Sequence, residues 1–330
     1  MSEPALYFSK NNSKYICDLC PHSCVLTDSA ESFCRVRGLI GGKPSLLSYG
    51  MISSIAVDPI EKKPLYHFYP GSQAFSIGSY GCNLRCPYCQ NWQISQSFTN
   101  SSIVSPRKLV DMALESGAPS IAYTYSEPLI WYEYIYDCAQ LAKEAGLNNI
   151  LVTNGYIHQK PFEKLLPHID ALNIDLKSFN KNTYKSILKG ELEVVLENIK
   201  MAVNYAHVEL TTLVVTGMND DMSEMQDACR WIASLDKNMV WHVSRYFPSF
   251  QYNKKSTDVS FIEELYVFAR SILAHVYTGN MHAENGMQNS YCASCGKVLI
   301  DRNGYSVRLV SLKNGRCDAC GHPFEAVLEV

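Results

Sequence analysis

The chain has 330 residues, of which 47% are apolar, so it can bury a sizeable core and accommodate a barrel of about 200 to 250 residues with small attachments. Its 29 basic and 32 acidic residues give a net charge of −3, which provides no general field to attract nucleic acid or anionic lipid. The first thirty residues contain no apolar signal-peptide core, and no apolar run approaches the ~18 residues of a membrane span. These features predict a soluble, cytoplasmic protein with no membrane partner.

The sequence contains 13 cysteines, and most of them fall into three clusters. The remaining two, Cys138 and Cys229, stand alone within apparent helices and are predicted to be core residues. Close spacings such as C-x2-C in a cytosolic chain favour metal ligation over disulfide formation. We therefore treat each cluster as a candidate metal site.

The first cluster lies in a segment predicted to be irregular, within an N-terminal region of residues 1–72. Its C-x2-C-x3-C-x9-C spacing is formed by Cys17, Cys20, Cys24 and Cys34. Four soft ligands so close together suit a tetrahedral zinc ion or a second iron–sulfur cluster, and the sequence leaves both open. His22 is an alternative ligand. A metal-free loop is the competing interpretation, but so short a segment has little core of its own to order it.

Residues 58–71 form a mixed charged and aromatic stretch whose prolines argue against a regular helix. The stretch leads into the first predicted strand. Glu61, Lys63 and His67 are candidates for lining a substrate entrance. The alternative is a solvated linker with ordinary surface charges.

Strand and helix patterns alternate from residue 74 onward, within a region predicted to extend over residues 73–284. The predicted strands cover residues 74–80, 120–125, 149–153, 169–175, 207–215 and 239–244, with a further one near 276–280. Helical patterns separate them, which predicts a parallel sheet built of βαβ units. In a barrel of such units, functional groups collect where the strands end.

The second cysteine cluster follows the first of these strands. Cys82, Cys86 and Cys89 stand at C-x3-C-x2-C spacing. A closed zinc site or an ordinary ferredoxin cluster takes four protein ligands. Three ligands on a four-iron cube therefore leave one iron free to bind a substrate or cofactor. A zinc loop completed by a distant fourth ligand is the alternative.

The third cluster lies in a separate module predicted at residues 285–330. Two C-x2-C-G knuckles supply its four thiols, Cys292, Cys295, Cys317 and Cys320. Four thiolates form a closed structural site, and the pattern resembles a zinc ribbon, which implies zinc as the metal. Short strands are expected around Tyr305.

The sequence is similar to the radical S-adenosylmethionine (SAM) enzymes. Residues 81–92 (GCNLRCPYCQNW) carry their cysteine motif. Together with residues 17–22 (CDLCPH), residues 58–64 (DPIEKKP) and the terminal knuckles, this motif resembles the radical enzyme of the AmmeMemoRadiSam system over nearly the full length. That family is related to the pyruvate formate-lyase activating enzymes, which activate glycyl-radical enzymes.

The resemblance implies an α/β fold, namely a partial (β/α)6-type TIM-like barrel. It implies a 4Fe-4S cluster on Cys82, Cys86 and Cys89, with S-adenosyl-L-methionine bound to the open iron. An electron from the cluster then splits the sulfonium, and the resulting 5'-deoxyadenosyl radical abstracts hydrogen from a protein, peptide or small-molecule substrate.

The resemblance also implies which residues line the SAM pocket. Tyr88 stands where the superfamily carries an aromatic residue beside the adenine. Ser126 and Glu127 match the end of a Gly-Gly-Glu-like segment that meets the methionine amino group, although Tyr125 replaces a glycine there. The alternative role for Glu127 is an acidic residue that favours a helix N-terminus.

Three further pocket residues follow from later strand ends. Asn154 lies in a Thr-Asn-Gly segment, and Asp175 and Lys177 lie in an Asp-Leu-Lys segment, both typical of the activating enzymes. The alternative for Asp175 and Lys177 is a surface ion pair worth ~0–1 kcal/mol. His242, on the sixth predicted strand, is a candidate for facing the adenosyl group or the substrate, or else is a core histidine.

The implied partners are a reductant such as flavodoxin or ferredoxin, and AMMECR-like and Memo-like proteins. Two other functions remain as alternatives. One is an RNA-modifying radical SAM enzyme that grips RNA with its cysteine-rich ends, although no basic surface is evident. The other is a non-enzymatic zinc or iron–sulfur scaffold.

Overall fold

A computed structural model of the protein describes residues 3–12, 14–27, 31–97, 102–281 and 286–328. Its centre is a sheet of eight strands. They are β1 (Ser54–Pro59), β2 (Gln73–Gly78), β3 (Ser120–Tyr123), β4 (Asn148–Thr153), β5 (Ala171–Asp175), β6 (His207–Val214), β7 (Val240–Arg245) and β8 (His275–Gly279).

The strands lie side by side in the order in which they occur along the chain. From β2 to β8 every neighbouring pair is parallel, which confirms the predicted parallel sheet and its further strand. Only β1 runs antiparallel to its neighbour β2. The sequence analysis did not predict β1, since it has no preceding helix to mark a βαβ unit.

One main helix connects each pair of parallel strands. These helices are α1 (Pro106–Ser116), α2 (Tyr132–Glu144), α3 (Gln159–Leu165), α4 (Leu192–Ala202), α5 (Met222–Leu235) and α6 (Val259–Arg270). The predicted start of α1 is confirmed, because Ser105 Oγ accepts a hydrogen bond from Lys108 N and Pro106 occupies the first turn. Short helical turns cover Ile60–Lys62, Trp92–Ser95, Pro128–Trp131, Leu166–His168, Lys181–Thr183 and Tyr184–Leu188.

The two ends of the chain form small antiparallel sheets. The N-terminal strands are Glu3–Pro4, Phe8–Asn11, Lys14–Cys17, Val25–Leu26, Arg37–Ile40, Lys43–Leu46 and Met51–Ile52, the last of which pairs with Ser102–Ile103. The prediction of an irregular N-terminal segment is therefore wrong. The C-terminal strands are Ser290–Tyr291, Val298–Asn303, Ser306–Leu309, Leu312–Lys313 and Arg316–Cys317, which confirms the strands expected around Tyr305. The boundary predicted at residue 285 lies outside the described residues.

Residues 58–71 cover one face of the central sheet. Ile60, Leu65 and Phe68 pack against Ala74 of β2 and Ala171 of β5, among other small residues. Neighbouring residues such as Phe75 and Leu172 belong to the separate core that the helices share. Because side chains alternate along a strand, the segment lies on the face opposite the helices.

Four polar side chains of this segment are buried, namely Asp58, Glu61, Lys63 and His67, whereas Lys62 is exposed. Lys63 Nζ lies 2.6 Å from Asp58 Oδ2, Glu61 Oε1 accepts from Gly71 N at 2.8 Å, and His67 Nε2 lies 2.6 Å from Tyr277 Oη. The alternative of a solvated linker is thus wrong for these side chains. They stabilise the cover of the sheet.

Glu209 of β6 fixes the segment to the sheet. Its buried carboxylate accepts hydrogen bonds from Tyr66 N at 2.8 Å and His67 N at 2.7 Å. His207 Nε2 and His242 Nε2 lie 2.9 and 2.6 Å from its two oxygens. The C-terminal module in turn contacts the same segment, through Tyr69 N to Val327 O at 2.7 Å.

No helix among the described residues is long and apolar enough to cross a membrane.

Glu209→Gln is expected to destabilise the protein by about 2–4 kcal/mol, because a buried carboxylate with several donors is replaced by an amide that brings a donor of its own. Burial raises the pKa of Glu209, but hydrogen bonds from His207 and His242 outweigh it and hold the pKa well below the ordinary 4.5. The stabilisation is therefore complete above pH 4.5 and decreases as the pH falls below it. Urea denaturation of anaerobically purified protein measures both effects.

The matched control is Glu193→Gln, since Glu193 forms an exposed ion pair with Lys181. Glu193→Gln should change the free energy of unfolding by no more than about 0.5 kcal/mol. Equal stability of the Glu209 variant and the wild type at pH 7 would contradict the assigned role.

Candidate active site

The second cysteine cluster lies in the loop that follows β2, at the carboxyl edge of the parallel strands. Cys82, Cys86 and Cys89 are half-buried and free. Gly81, just before them, has φ of +80° and packs so tightly that an added Cβ would collide with the carbonyl oxygen of Cys34. This position therefore requires glycine.

Several parts of the chain hold the loop in place. Arg85 N donates to Leu188 O at 2.9 Å, and Gln251 N donates to Pro87 O at 2.9 Å. Ser249 Oγ lies 3.1 Å from Cys89 O. Because these partners come from the connections after β5 and β7, folding of the sheet itself orders the three cysteines.

The three thiols lie close enough together that they would repel one another if they were deprotonated. Burial raises the pKa of Cys82 far above its usual range and that of Cys86 to about 11, so the thiols stay protonated unless a cation compensates. A bound metal deprotonates its thiol ligands outright. The sulfurs also have donors nearby: Leu84 N lies 3.3 Å from Cys82 Sγ and Ser95 Oγ lies 3.3 Å from Cys89 Sγ. These features fit an iron–sulfur cluster, whose properties depend on such hydrogen bonds.

A chain of buried amides links the loop to β4. Asn154 Nδ2 donates to Asn83 Oδ1 at 2.9 Å and lies 3.7 Å from Cys82 Sγ. Asn83 Nδ2 donates to Tyr156 O at 2.6 Å, and Tyr156 N donates to Asn154 Oδ1 at 2.8 Å. Asn83 was missed by the sequence analysis, because an asparagine inside a cysteine motif carries no signal of its partner.

Glu127 joins the end of β3 to the end of β4. Its carboxylate accepts from Thr153 Oγ1 at 2.6 Å, from Leu129 N at 2.9 Å and from Asn154 N at 2.8 Å. Burial raises the pKa of Glu127 to about 7, although these hydrogen bonds oppose the rise. The alternative interpretation of Glu127 holds, since it caps the turn Pro128–Trp131. Glu127 also lies near Cys82, and its contact with SAM stays a prediction.

Tyr125, which stands where the family motif has a glycine, has φ of +68°, in the left-handed region that favours glycine. Its hydroxyl donates to Asp58 Oδ2 at 2.5 Å, and Lys63 Nζ lies 4.6 Å from the centre of its ring. A bulky residue in this region costs of order 1–3 kcal/mol, which the contacts of the ring offset. Ser126, the next residue, is buried, and its contact with SAM stays a prediction.

Asp175 and Lys177 form an ion pair of 2.9 Å at the end of β5. Both are only partly exposed, and both interact electrostatically with Cys86. The structure therefore brings them to the cysteine loop. Asn219, another residue that the sequence analysis did not single out, fixes this end: its Nδ2 donates to Lys177 O and its Oδ1 accepts from Val215 N.

Tyr88 and His242 take different positions. Tyr88 is buried within the loop, with Tyr246 and Tyr252 at 6.5 Å between ring centres. His242 lies within β7, where it is the register partner of Thr211, and its Nε2 is occupied by Glu209. His242 therefore contacts the network beneath the sheet through that nitrogen, and its SAM contact stays a prediction.

A cavity of about 380 Å³ opens beside Cys86. Its lining includes Arg35, Arg85, Trp92 and Phe250, and the last two rings stack at 5.2 Å. The cysteine loop is therefore reachable from the surface past two cationic side chains.

The C-terminal cysteines form a compact metal-binding group. The ligand atoms of Cys292, Cys295, Cys317 and Cys320 all lie within 4.8 Å of one another. Cys138 and Cys229 are fully buried, as predicted.

Comparison with known proteins places this geometry in a class. The model of the radical SAM superfamily matches residues 76–232, which include the three-cysteine loop and the ends of β2 to β6. Residues 76–232 are a radical SAM domain, and the protein is an enzyme of that superfamily that binds SAM and an iron–sulfur cluster.

The chain also has a relative of matching length. It is 38% identical to an uncharacterized protein of Methanocaldococcus jannaschii, over 99% of this chain and 100% of that protein. GTP 3',8-cyclase of Petrotoga mobilis is 32% identical over 51% of this chain, which spans only about half (53%) of that enzyme. Pyruvate formate-lyase-activating enzyme of Clostridium pasteurianum is 26% identical over 48% of this chain and 69% of the enzyme.

Solved structures agree on the fold. Streptococcus suis SuiB matches with a TM-score of 0.51 and 13% identity, over 68% of this chain and 52% of that one. A radical SAM methyltransferase from Sphaerobacter thermophilus matches with a TM-score of 0.50 and 16% identity, over 70% of this chain and 71% of that one. The α/β fold with a mostly parallel sheet is thereby confirmed.

Cys295→Ser is expected to remove about one metal ion per chain, because a four-thiolate site loses a quarter of its ligands. Metal analysis of the purified protein measures the loss and identifies the metal. Iron bound elsewhere should be unchanged. Cys229→Ser is the control and should retain all metals; an unchanged metal content in Cys295→Ser would show that the four thiols do not hold a metal.

Proposed function

We propose that the protein cleaves SAM reductively and uses the 5'-deoxyadenosyl radical to abstract hydrogen from a protein, peptide or small-molecule substrate. One observation carries the proposal. Three cysteines on one loop stand beside an acid, an amide and a lysine from three successive strand ends: Glu127, Asn154 and Lys177.

Each of these residues has a distinct role in the proposal. Cys82, Cys86 and Cys89 hold three irons of a 4Fe-4S cluster and leave the fourth for SAM. With SAM bound, that cluster supplies the single electron that breaks a carbon–sulfur bond. The protein binds and orients SAM and excludes water.

The polar groups of the site suit an amino acid with one ammonium and one carboxylate. The Glu127 carboxylate has about four acceptor positions and uses three of them in the protein, so one remains for an ammonium group. Lys177 has three donors and gives one to Asp175, so two remain for a carboxylate. Tyr88 and Ser126 complete the proposed pocket, with His242 as a further candidate.

The cavity beside Cys86 suits the approach of a one-electron carrier such as flavodoxin or ferredoxin. Arg35 is exposed there and Arg85 is half-buried, so the entrance is positively charged. An acidic carrier would therefore be steered toward the cysteine loop.

The substrate class follows from resemblance alone. The residues 58–64 and 81–92 support a member of the AmmeMemoRadiSam system that acts with AMMECR-like and Memo-like proteins in the cytoplasm, and the relation to activating enzymes supports an activase-like reaction. Product mass spectrometry after co-purification with these proteins tests the assignment. The alternative of a non-enzymatic scaffold is wrong, because the chain belongs to a superfamily of enzymes. The RNA alternative predicts a tRNA mobility shift at moderate salt.

Cys86→Ala is expected to lose about four irons and all formation of 5'-deoxyadenosine from SAM under dithionite, since a cube with two protein ligands is not retained. Iron analysis and chromatography of the reaction mixture give the two readouts. The C-terminal metal should remain. The control Cys138→Ala alters a cysteine of the core and should keep both iron and activity; deoxyadenosine formation by Cys86→Ala would refute the proposal.

Glu127→Gln is expected to weaken SAM binding by about tenfold to a hundredfold, since a hydrogen bond to a charged group is lost. Iron content should be unchanged. Because burial raises the pKa of Glu127 to about 7, wild-type affinity should fall as the pH decreases from 8 to 6, and the variant should lack this dependence. Equilibrium binding of SAM to the reconstituted protein measures both.

The exposed Glu144→Gln, at the end of α2, serves as the control for charge removal. Its SAM affinity and pH dependence should match the wild type. A Glu127 variant that binds SAM normally across this pH range would exclude contact between the carboxylate and the cofactor.

A further inference from the structure

The four N-terminal cysteines come together in the folded protein. Cys17, Cys20 and Cys34 are buried and Cys24 is half-buried. Cys17 N donates to Cys24 O at 2.9 Å, and the amide of Phe33, next to Cys34, donates to Cys24 Sγ at 3.3 Å. Cys20 lies close enough to the other three for charge on their sulfurs to raise its pKa, and none of the four forms a disulfide. The proposed cleavage of SAM uses none of these thiols.

The spacing of these sulfurs differs from that of the C-terminal site. Four thiolates on one zinc ion bind at about 2.3 Å, which places the sulfurs roughly 3.8 Å apart. The C-terminal thiols match this value, with 3.5 Å between Cys292 Sγ and Cys320 Sγ and 3.7 Å between Cys295 Sγ and Cys317 Sγ. Among the residues that the structure describes, no three of the N-terminal thiols lie within 4.8 Å of one another.

Cys82, Cys86 and Cys89, which are also described, likewise do not all lie within 4.8 Å of one another. Thiolates on an iron–sulfur cluster bind different irons and therefore stand further apart than thiolates on one ion. From this contrast we infer that Cys17, Cys20, Cys24 and Cys34 hold a second iron–sulfur cluster, fully ligated by the protein.

The surroundings of the thiols fit a cluster that carries negative charge. Phe33 N donates to Cys24 Sγ at 3.3 Å, and Ser32 Oγ lies 3.4 Å from Cys34 Sγ. The buried Arg37, held by Glu133 at 2.8 Å, interacts electrostatically with Cys17 and Cys34. Hydrogen bonds to sulfur and nearby charge are the means by which proteins tune such clusters.

His22 is not needed as a ligand. Its Nε2 hydrogen-bonds to Asn83 O at 2.7 Å, and its ring stacks on Phe33 at 4.0 Å. The guanidinium of Arg85, which lies in the cysteine loop, is 3.9 Å from the centre of the same Phe33 ring. The N-terminal segment is thereby packed directly on the loop of the first cluster.

A cluster with four protein ligands has no iron open to SAM. Its chemistry is therefore limited to one-electron transfer and to ordering the segment that carries it. The inference concerns residues that the proposed SAM cleavage does not use, so either can fail without the other.

The test is a count of iron, sulfide and zinc in anaerobically purified full-length protein. Cys20→Ala should lose roughly two to four irons and keep the irons of the cluster on Cys82, Cys86 and Cys89. The double variant Cys20→Ala with Cys86→Ala should lose nearly all iron. Cys138→Ala is the matched control. Loss of one zinc ion in Cys20→Ala, or no loss of any metal, would overturn the inference.

A second measurement does not depend on folding of a variant. Electron paramagnetic resonance of the reduced wild type should show two cluster signals, of which only one shifts when SAM is added. A single cluster signal that shifts entirely with SAM would overturn the second cluster and leave the first intact. A second signal that does not respond to SAM would support the second cluster.

Discussion

The site depends on one buried carboxylate. Glu127 accepts hydrogen bonds from a side chain and a backbone amide of the neighbouring strand end, Thr153 Oγ1 and Asn154 N. Asn154 in turn holds Asn83 within the cysteine loop. An acid withdrawn from water is tolerated only where donors surround it, so the same bonds that satisfy Glu127 also fix the relative positions of two strand ends and the metal loop. The geometry of the candidate site therefore depends on a small polar network at the carboxyl ends of the strands.

Much of the fold could be predicted because parallel strands and helices each leave a periodic signal. The strands from β2 to β8 and the start of α1 agree with the sequence pattern. The N-terminal strands were missed, because elements of two to four residues are too short to show a period. The role of residues 58–71 was also beyond the sequence, since burial of Lys63 and Glu61 depends on partners that lie far along the chain or in the folded turn.

The candidate site also contains some residues that the sequence predicts and others that only the structure shows. Cys82, Cys86 and Cys89 are recognisable because their spacing alone implies a shared metal. Asp175 and Lys177 follow from strand ends, and the structure brings them to the loop. Asn83 and Asn219 carry no such signal, since an asparagine that bonds backbone groups is indistinguishable in sequence from a turn residue. Tyr125 differs from both groups, because the sequence alone shows that it replaces a glycine. Only the folded structure shows that contacts with Asp58 and Lys63 offset the backbone strain at this position.

The C-terminal module is joined to the rest of the chain in part through residues 58–71. Arg302 donates to Tyr66 O at 2.8 Å, and Val327 N donates to His67 O at 2.8 Å. Ligation of four thiols contributes directly to the folding free energy of so small a unit. A metal ion held by these four thiols would therefore also stabilise the cover of the sheet through these contacts. Loss of that ion would then loosen residues 58–71, which contain none of its ligands.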